Sequence, residues 1–338
     1  MFKPFGSTTP WADPVWYSGR PSPYYKESHV KLRDFVRKWT DENVAGKSDD
    51  WEAAGKVPDD IYKNCAQDGL IVPISAGNRI PKEWAHYPIA AAIKAEDWDG
   101  FHDFILWDEL FRGAPSLSSV FIGLTRILPE LLTGKKRICL AITEPSAGSD
   151  VRNIITVAEK THDGKHYIVN GEKKISCNHI VLSLYALADS SDLDHKRHVF
   201  GLFYVRTGGS GAGGLSMLLI PRTEGLRTRK IEVGAGGLSA TTYVIFEKVK
   251  VPVSYLVGEE GCGFRYTMNN FNHERLWICL QGLRGVRICL EDAMAWCTKR
   301  EAFGKTLIEQ PVVRHRFGHV WRAKLMACRL GSRVRYTS

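Results

Sequence analysis

The sequence has no apolar stretch near the roughly 18 residues a membrane-crossing helix needs, so a membrane-spanning role is set aside. The first residues, MFKPFGSTTPWADPVW, place no apolar run behind a basic start, so they do not read as a secretory signal. They are poor in arginine as well, which speaks against a mitochondrial transit peptide. Cysteine is sparse, with 8 in 338 residues, and no two are spaced C-x-x-C, so a zinc ribbon or thioredoxin-type site is not expected. Reduced thiols in an intracellular protein are the default. The cytoplasm is favoured, with mitochondrial and peroxisomal placements left open.

Acidic residues are missing from one region. Positions 311–338 contain seven Lys or Arg and no Asp or Glu, while the whole chain has 46 basic and 37 acidic residues, a net +9. Without that region the net charge is +2, so the basic character belongs mostly to the end of the chain. A solvated helix face with a loose end accounts for it better than a nucleic-acid site. Disorder is excluded by a hydrophobic content of 44% and a charged content of 25%, both near the globular average. The length suits about two or three domains.

The order of patterns is helix, strand, helix. Leu32, Phe35, Val36 and Trp39 recur at helical spacing, Pro58-Asp59-Asp60 looks like a helix start, and Phe101, Phe104 and Ile105 share one face of a segment stopping at Gly113. From Cys139 the period changes. THDGKHYIVNG carries a D-G turn between strand-like runs, and LSMLLIPR, LRTRKIEV and TTYVIFEKVKVPV continue in the same way. Residues 264–300 lack proline and read as a long helix, and Pro311 opens another. The expectation is an α+β chain: a helical domain over 1–138, a β-barrel-like domain over 139–257, and a shortened helical bundle over 258–338.

Two motifs carry little. GSGAGG at Gly209–Gly214 fits G-x-G-x-x-G, but a strand-like run follows it where a dinucleotide site needs a helix, so a hairpin loop is expected. His315 and His319 have a metal-compatible i, i+4 spacing but no evident third ligand, and read as surface histidines; no metal site is assigned.

LAITEPSAGSDV (Leu140–Val151) is a strand running into a turn of small residues, able to offer hydroxyl and N–H donors to a planar heterocycle or a phosphate. By residue type alone it is an ordinary strand-to-loop junction. In order with VNGEKK (169–174), FEKVKVP (246–252), NHERLWICLQGLRG (272–285) and REAFGKTLIEQ (300–310), however, it resembles the acyl-CoA dehydrogenase family, in its fungal-type branch.

The resemblance implies a flavoprotein oxidoreductase of fatty acid metabolism. FAD would be the cofactor, an acyl-CoA thioester the substrate for α,β-desaturation, and an electron-transfer flavoprotein or oxygen the acceptor. It further implies that Leu140, Ile142, Thr143, Gly148 and Ser149 line the flavin and its pyrophosphate, with Ser149 also on the CoA side. Arg300, Phe303 and Gln310 would reach the FAD of a neighbouring subunit, as in a homo-oligomer with a complete bundle. Asn272 and Arg275 would line the acyl-CoA channel, and Glu274, in the E-R-L placement of the isovaleryl- and long-chain types, would be the base. Its helical neighbours Asn270, Phe271, Trp277 and Ile278 include no cation, so a raised pKa is expected.

Three departures from the family pattern set alternatives beside this reading. A section before Cys139 looks absent, ISCNHI replaces the expected W-I-T-N-G, with residues 175–204 reading as an insertion or translated intron, and the chain stops at Ser338 short of a full bundle. An inactive, truncated or mis-spliced member of the family is one alternative; a nucleic-acid-binding relative using the basic end is the other.

Overall fold

The computed structural model describes residues 13–54, 58–113, 128–133, 135, 137–175, 199–231 and 242–333. The segments 114–127 and 176–198 lie outside the described residues; they hold the expected missing section and most of the expected insertion at 175–204. The end of that expected insertion is corrected by the structure: residues 199–204 belong to a strand in the interior of the sheet, hydrogen-bonded to neighbours on both sides.

Helix α1 (Glu27–Asn43) buries Leu32, Val36 and Trp39, as the helical spacing predicts, and leaves Phe35 half-buried. Three shorter helices follow: α2 (Ser48–Ala54), α3 (Asp59–Gln67), which Pro58 caps, and α4 (Ile71–Ala76). Helix α5 (Gly100–Gly113) departs from expectation. Only Ile105 of the predicted face is buried, while Phe101 and Phe104 are half-buried. The rest of its buried surface is made by His102, Asp103, Leu106, Trp107, Asp108, Glu109, Leu110 and Phe111. A helix enclosed this fully needs partners for its acids, and the other elements supply them. A short helix α6 (Leu128–Leu132) precedes the strands.

Seven strands form a continuous path, β6-β7-β3-β2-β4-β5-β8, and β1 joins it through β4. They are β1 (Arg137–Ala141), β2 (Val157–Lys160), β3 (His166–Ile175), β4 (Val199–Arg206), β5 (Leu215–Pro221), β6 (Leu226–Lys230), β7 (Thr242–Pro252) and β8 (Leu256–Val257). Among the described residues the sheet does not close into a barrel. The D-G turn joins β2 and β3 as an antiparallel hairpin, with Gly164 at φ 66°. The glycine-rich loop joins β4 to β5, and Arg206 donates to the Ile154, Gly209 and Arg152 carbonyls around it. It is a hairpin loop, as its flanking strands predict. Across β3 and β7 the register slips by one residue, because β7 bulges at Lys248 (φ 52°), whose N–H donates to Asn170 Oδ1 at 2.8 Å.

Helix α7 (Gly263–Lys299) runs proline-free for 37 residues. A two-stranded hairpin, β9 (Glu301–Ala302) and β10 (Lys305–Thr306), turns the chain into α8 (Pro311–Arg333). Among the described residues no helix is long and apolar enough to cross a membrane.

A buried ionic cluster locks α7 to the first helices. Asp108 on α5 accepts from Arg284 and Arg287 of α7, the latter at 2.7 Å. Glu109 accepts from Arg37 of α1 at 2.7 Å and from the Tyr17 hydroxyl at 2.6 Å. Burial would raise the Asp108 pKa, but the two guanidiniums outweigh it and hold it at about 2. The 263–299 helix is thereby fixed in rotation relative to α5.

Candidate active site

Strand β1 carries the T-E-P block out of the sheet. Leu140 and Ile142 are buried in the core, so only their backbone faces outward chemistry, and the Ile142 carbonyl already accepts from Lys173 Nζ at 3.0 Å. Past the strand the character changes. Thr143 is half-buried, and Gly148 and Ser149 are exposed. Thr143 and Ser149 have no side-chain partner among the described residues, and a Cβ added at Gly148 would meet nothing within 4 Å. This is an open turn with uncommitted hydroxyls and N–H groups.

What holds that turn in shape was not legible from the motif alone. Glu144 is fully buried and receives the Ile155 N–H at 2.6 Å, the Thr156 N–H at 3.0 Å and Lys173 Nζ at 2.7 Å. Lys173 belongs to the VNGEKK block, and the Lys174 N–H donates to the Thr143 carbonyl at 2.9 Å. The two blocks are one unit. The co-occurrence of a buried-strand Lys with a Glu beside Pro145 was the available signal.

Glu274 lies on α7, half-buried, and accepts from the Asn270 amide one turn earlier. Burial is the largest influence and pushes its pKa up to about 7, against the opposing pull of Asn270 and His273. The expected elevation is present, and its largest cause is burial, beyond the lack of a cationic neighbour that the sequence shows. Asn272 and Arg275 are both exposed on the same helix and bond to each other at 2.8 Å. They flank Glu274 in sequence, but Arg275 is turned to Asn272.

A residue the sequence reading passed over directly precedes Glu274 on α7. His273 Nε2 is 2.6 Å from Asp103 Oδ2 of α5, in a pair with the acid fully buried.

Arg300, Phe303 and Gln310 cluster at the β9–β10 hairpin. Phe303 occupies its turn at φ 56° and is 96% exposed, and Arg300 is exposed with no ion-pair partner among the described residues. Gln310 is different: its amide donates to the Ala302 carbonyl at 3.2 Å and so braces the hairpin. The hairpin and the β1 turn belong to separate elements.

The middle and C-terminal domain models of the acyl-CoA dehydrogenases match residues 139–249 and 261–333. The acyl-CoA dehydrogenase apdG of Emericella nidulans is 40% identical over 333 residues, covering 92% of this chain and 72% of that protein. The chain belongs to the acyl-CoA dehydrogenase family. A second fungal member, acyl-CoA dehydrogenase AFT10-1 of Alternaria alternata, is 32% identical over 94% of this chain and 73% of its own length. Among solved structures, a probable acyl-CoA dehydrogenase from Mycobacterium abscessus superposes with a TM-score of 0.74 at 28% identity, over 91% of this chain and 78% of that one. The acyl-CoA dehydrogenases are FAD-dependent flavoproteins, and FAD is the cofactor that family membership brings. The open turn at Gly148, the Thr143 and Ser149 hydroxyls, and the Arg300 guanidinium, the last three without a side-chain partner among the described residues, are donors of the kind that a flavin and its diphosphate would use.

Two other histidine groups are structural in character. His29, Asp99 and His102 have ligand atoms within 4.8 Å of one another. Yet each is engaged in capping: His29 Nδ1 accepts the Lys26 N–H, Asp99 Oδ1 accepts the Phe101 and His102 N–H groups, and His102 Nε2 meets Ser28. His315 and His319 face each other on exposed α8 with Nε2 atoms 3.1 Å apart.

Proposed function

We propose that the chain is an acyl-CoA dehydrogenase that desaturates an acyl-CoA thioester between Cα and Cβ, with Glu274 as the base. The observation that carries the reading is the Glu274 carboxyl, half-buried on α7 and raised to about 7. A base for an α-proton must be ionised near neutral pH and yet basic enough to accept it, and burial without a salt-bridge partner among the described residues supports that balance.

In this reading Glu274 removes the α-proton, and the Asn270 amide on its Oε1 holds the other oxygen free to face the substrate. Bound FAD supplies the hydride acceptor. Thr143, Gly148 and Ser149 hold the flavin and its diphosphate through hydroxyl and backbone N–H donors, and Leu140 and Ile142 back that surface from the core. Arg300 and Phe303 extend from their hairpin toward the FAD of a second copy, and Gln310 keeps the hairpin in shape. Ser149, Asn272 and Arg275 contact the acyl-CoA. An electron-transfer flavoprotein or oxygen takes the electrons onward.

The test is anaerobic mixing of the purified yellow protein with acyl-CoAs of graded chain length, following loss of the flavin absorption. The parent should bleach and Glu274→Gln should not, while both retain FAD. Bleaching by Glu274→Gln at the parental rate would remove Glu274 from the mechanism.

A further inference from the structure

We propose that residues 13–18, the turn ahead of α1, are a strap that completes the buried ionic junction of α1, α5 and α7 and opens as a unit before the helices it ties together come apart.

The strap supplies what the helices lack. Three guanidiniums, Arg37, Arg284 and Arg287, hydrogen-bond to two carboxylates, Asp108 and Glu109. Buried positive charge in excess is unfavourable, so the helices leave a place for a further acid. Asp13 fills it. Arg287 donates to Asp13 through Nη2 and to Asp108 through Nη1 at 2.7 Å, so one guanidinium spans the strap and α5. Tyr17, 4% exposed, sets its hydroxyl between the two acids of α5, 2.6 Å from Glu109 Oε1 and 3.2 Å from Asp108 Oδ2. A hydroxyl has a single hydrogen, and the shorter distance assigns it to Glu109. The ring meets the cations too: the guanidinium carbons of Arg33, Arg37 and Arg287 lie 5.0, 5.3 and 5.6 Å from its centroid.

The strap is also separable from what it ties. Its backbone bonds to itself: the Tyr17 N–H donates to the Pro14 carbonyl at 2.9 Å, and the Gly19 N–H to the Trp16 carbonyl at 3.1 Å. Its hold on the helices runs through the side chains of Asp13, Trp16 and Tyr17. Gly19, at φ 78°, and the exposed Arg20, Pro21 and Pro23 lead on to α1, so the turn can swing about this link while α1 keeps its own bonds. Closure carries a cost as well. Trp16 stacks on Tyr25 with ring centroids 4.2 Å apart, and its Nε1 is buried there with no hydrogen-bond partner. Opening returns that donor to water. Side-chain contacts set against a buried unsatisfied donor, on a segment with an exposed link, are the makings of a local opening below the cost of global unfolding.

Hydrogen exchange of single amides in the full-length, FAD-loaded protein, repeated at rising sub-denaturing urea, tests this. The Tyr17 and Gly19 amides should exchange at least roughly tenfold faster than those of Val36 in α1 and Leu280 in α7, and with almost no dependence on urea, because the strap opens without exposing the core. Tyr17→Phe removes a hydrogen bond to a charged group and should speed exchange at Gly19 by roughly tenfold or more, with flavin content kept. If Tyr17→Phe does not fold, Asp13→Asn, which loses the carboxylate on Arg287, supplies the same reading. Strap amides that share the protection and the urea slope of α1 overturn the proposal, since the turn would then open only with the helices. Exchange at Gly19 that is unchanged in the folded variant overturns it too, since the side chain would then not hold the strap closed.

Discussion

Lys173 Nζ lies 2.7 Å from Glu144 Oε1, with neither side chain reaching solvent. The pair ties the strand that ends in T-E-P to the strand that carries VNGEKK. Burial favours the neutral form of both groups. For the carboxyl, the Lys173 charge and the Ile155 N–H outweigh burial and its pKa is lowered; for the ammonium burial wins, and its pKa falls to about 8. Removing one partner leaves a buried charge uncompensated, at a cost of about 3–5 kcal/mol. Glu144→Ala should therefore unfold at much lower denaturant than the parent, and FAD content should fall with it because the Thr143 turn is framed by the same contacts. Glu144 contributes stability that is present above its unfolded pKa and lost as pH falls through its lowered folded value. Equilibrium urea unfolding checks both. A Glu144→Ala midpoint within error of the parent would contradict the account.

Glu274 carries the opposite sign. Its folded pKa of about 7 lies above the ordinary carboxyl value, so the folded state binds the proton more tightly. Its own contribution to stability falls as pH rises from about 4.5 to about 7. Glu274→Gln removes this penalty and should be more stable than the parent by about 1–3 kcal/mol at pH 8, with little difference at pH 4.5. Thermal melts of both proteins at the two pH values give the comparison. A variant destabilised at pH 8 would mean that the carboxyl is not held in an environment hostile to its charge.

The sequence conveyed the large features well where one physical signal dominated. Pro58 and Pro311 open helices, the D-G turn makes a hairpin, and the absence of proline after Gly263 gives a single long helix. It conveyed the buried face of α5 poorly. Periodicity reads apolar residues, and four of the nine buried residues are His102, Asp103, Asp108 and Glu109; the three acids are acceptable inside only because Arg284, Arg287, Arg37 and His273 arrive from distant parts of the chain. The pKa of Glu274 could be anticipated from its helical neighbours, because burial acts locally. The pairing of His273 with Asp103 could not, since the two are 170 residues apart.

His102 supplies a pH dependence below neutrality. Burial is the largest influence on its ring and lowers the pKa, with the His29 charge adding to it and Asp99 opposing. A histidine whose folded pKa lies below about 6.5 binds its proton more readily when unfolded, so its contribution is present above that pH and is lost as pH falls. The two imidazoles are 3.9 Å apart at the amino ends of α1 and α5, where a second positive charge is also disfavoured by the helix dipoles. His102→Asn keeps polar atoms toward Asp99 and cannot titrate. Its loss of stability between pH 7 and pH 5 should be smaller than the parent's. Comparing the two proteins cancels the Glu274 contribution, which runs the other way. Equal slopes would remove His102 as a source of the acid sensitivity.

Phe303 offers a case where stability and cofactor binding separate. At 96% exposure it contributes next to nothing to the core of its own chain. Its φ of 56° is a conformation that a bulky side chain adopts at a cost, and Gly304 follows at φ 70°. An exposed aromatic held in a strained turn, braced by Gln310 and next to an Arg300 without an ion-pair partner among the described residues, calls for a ligand or a neighbour to cover it. Phe303→Gly relieves the turn and removes the ring. On the reading that this hairpin reaches the FAD of a second copy, the variant should melt at or slightly above the parental temperature without cofactor, yet retain less flavin on gel filtration. Arg300→Gln should lose flavin similarly, with its melting temperature unchanged, because its guanidinium has no ion-pair partner among the described residues to lose. If both variants hold FAD as tightly as the parent, and elute at the same size, the hairpin has no part in cofactor binding and the exposed ring needs another explanation.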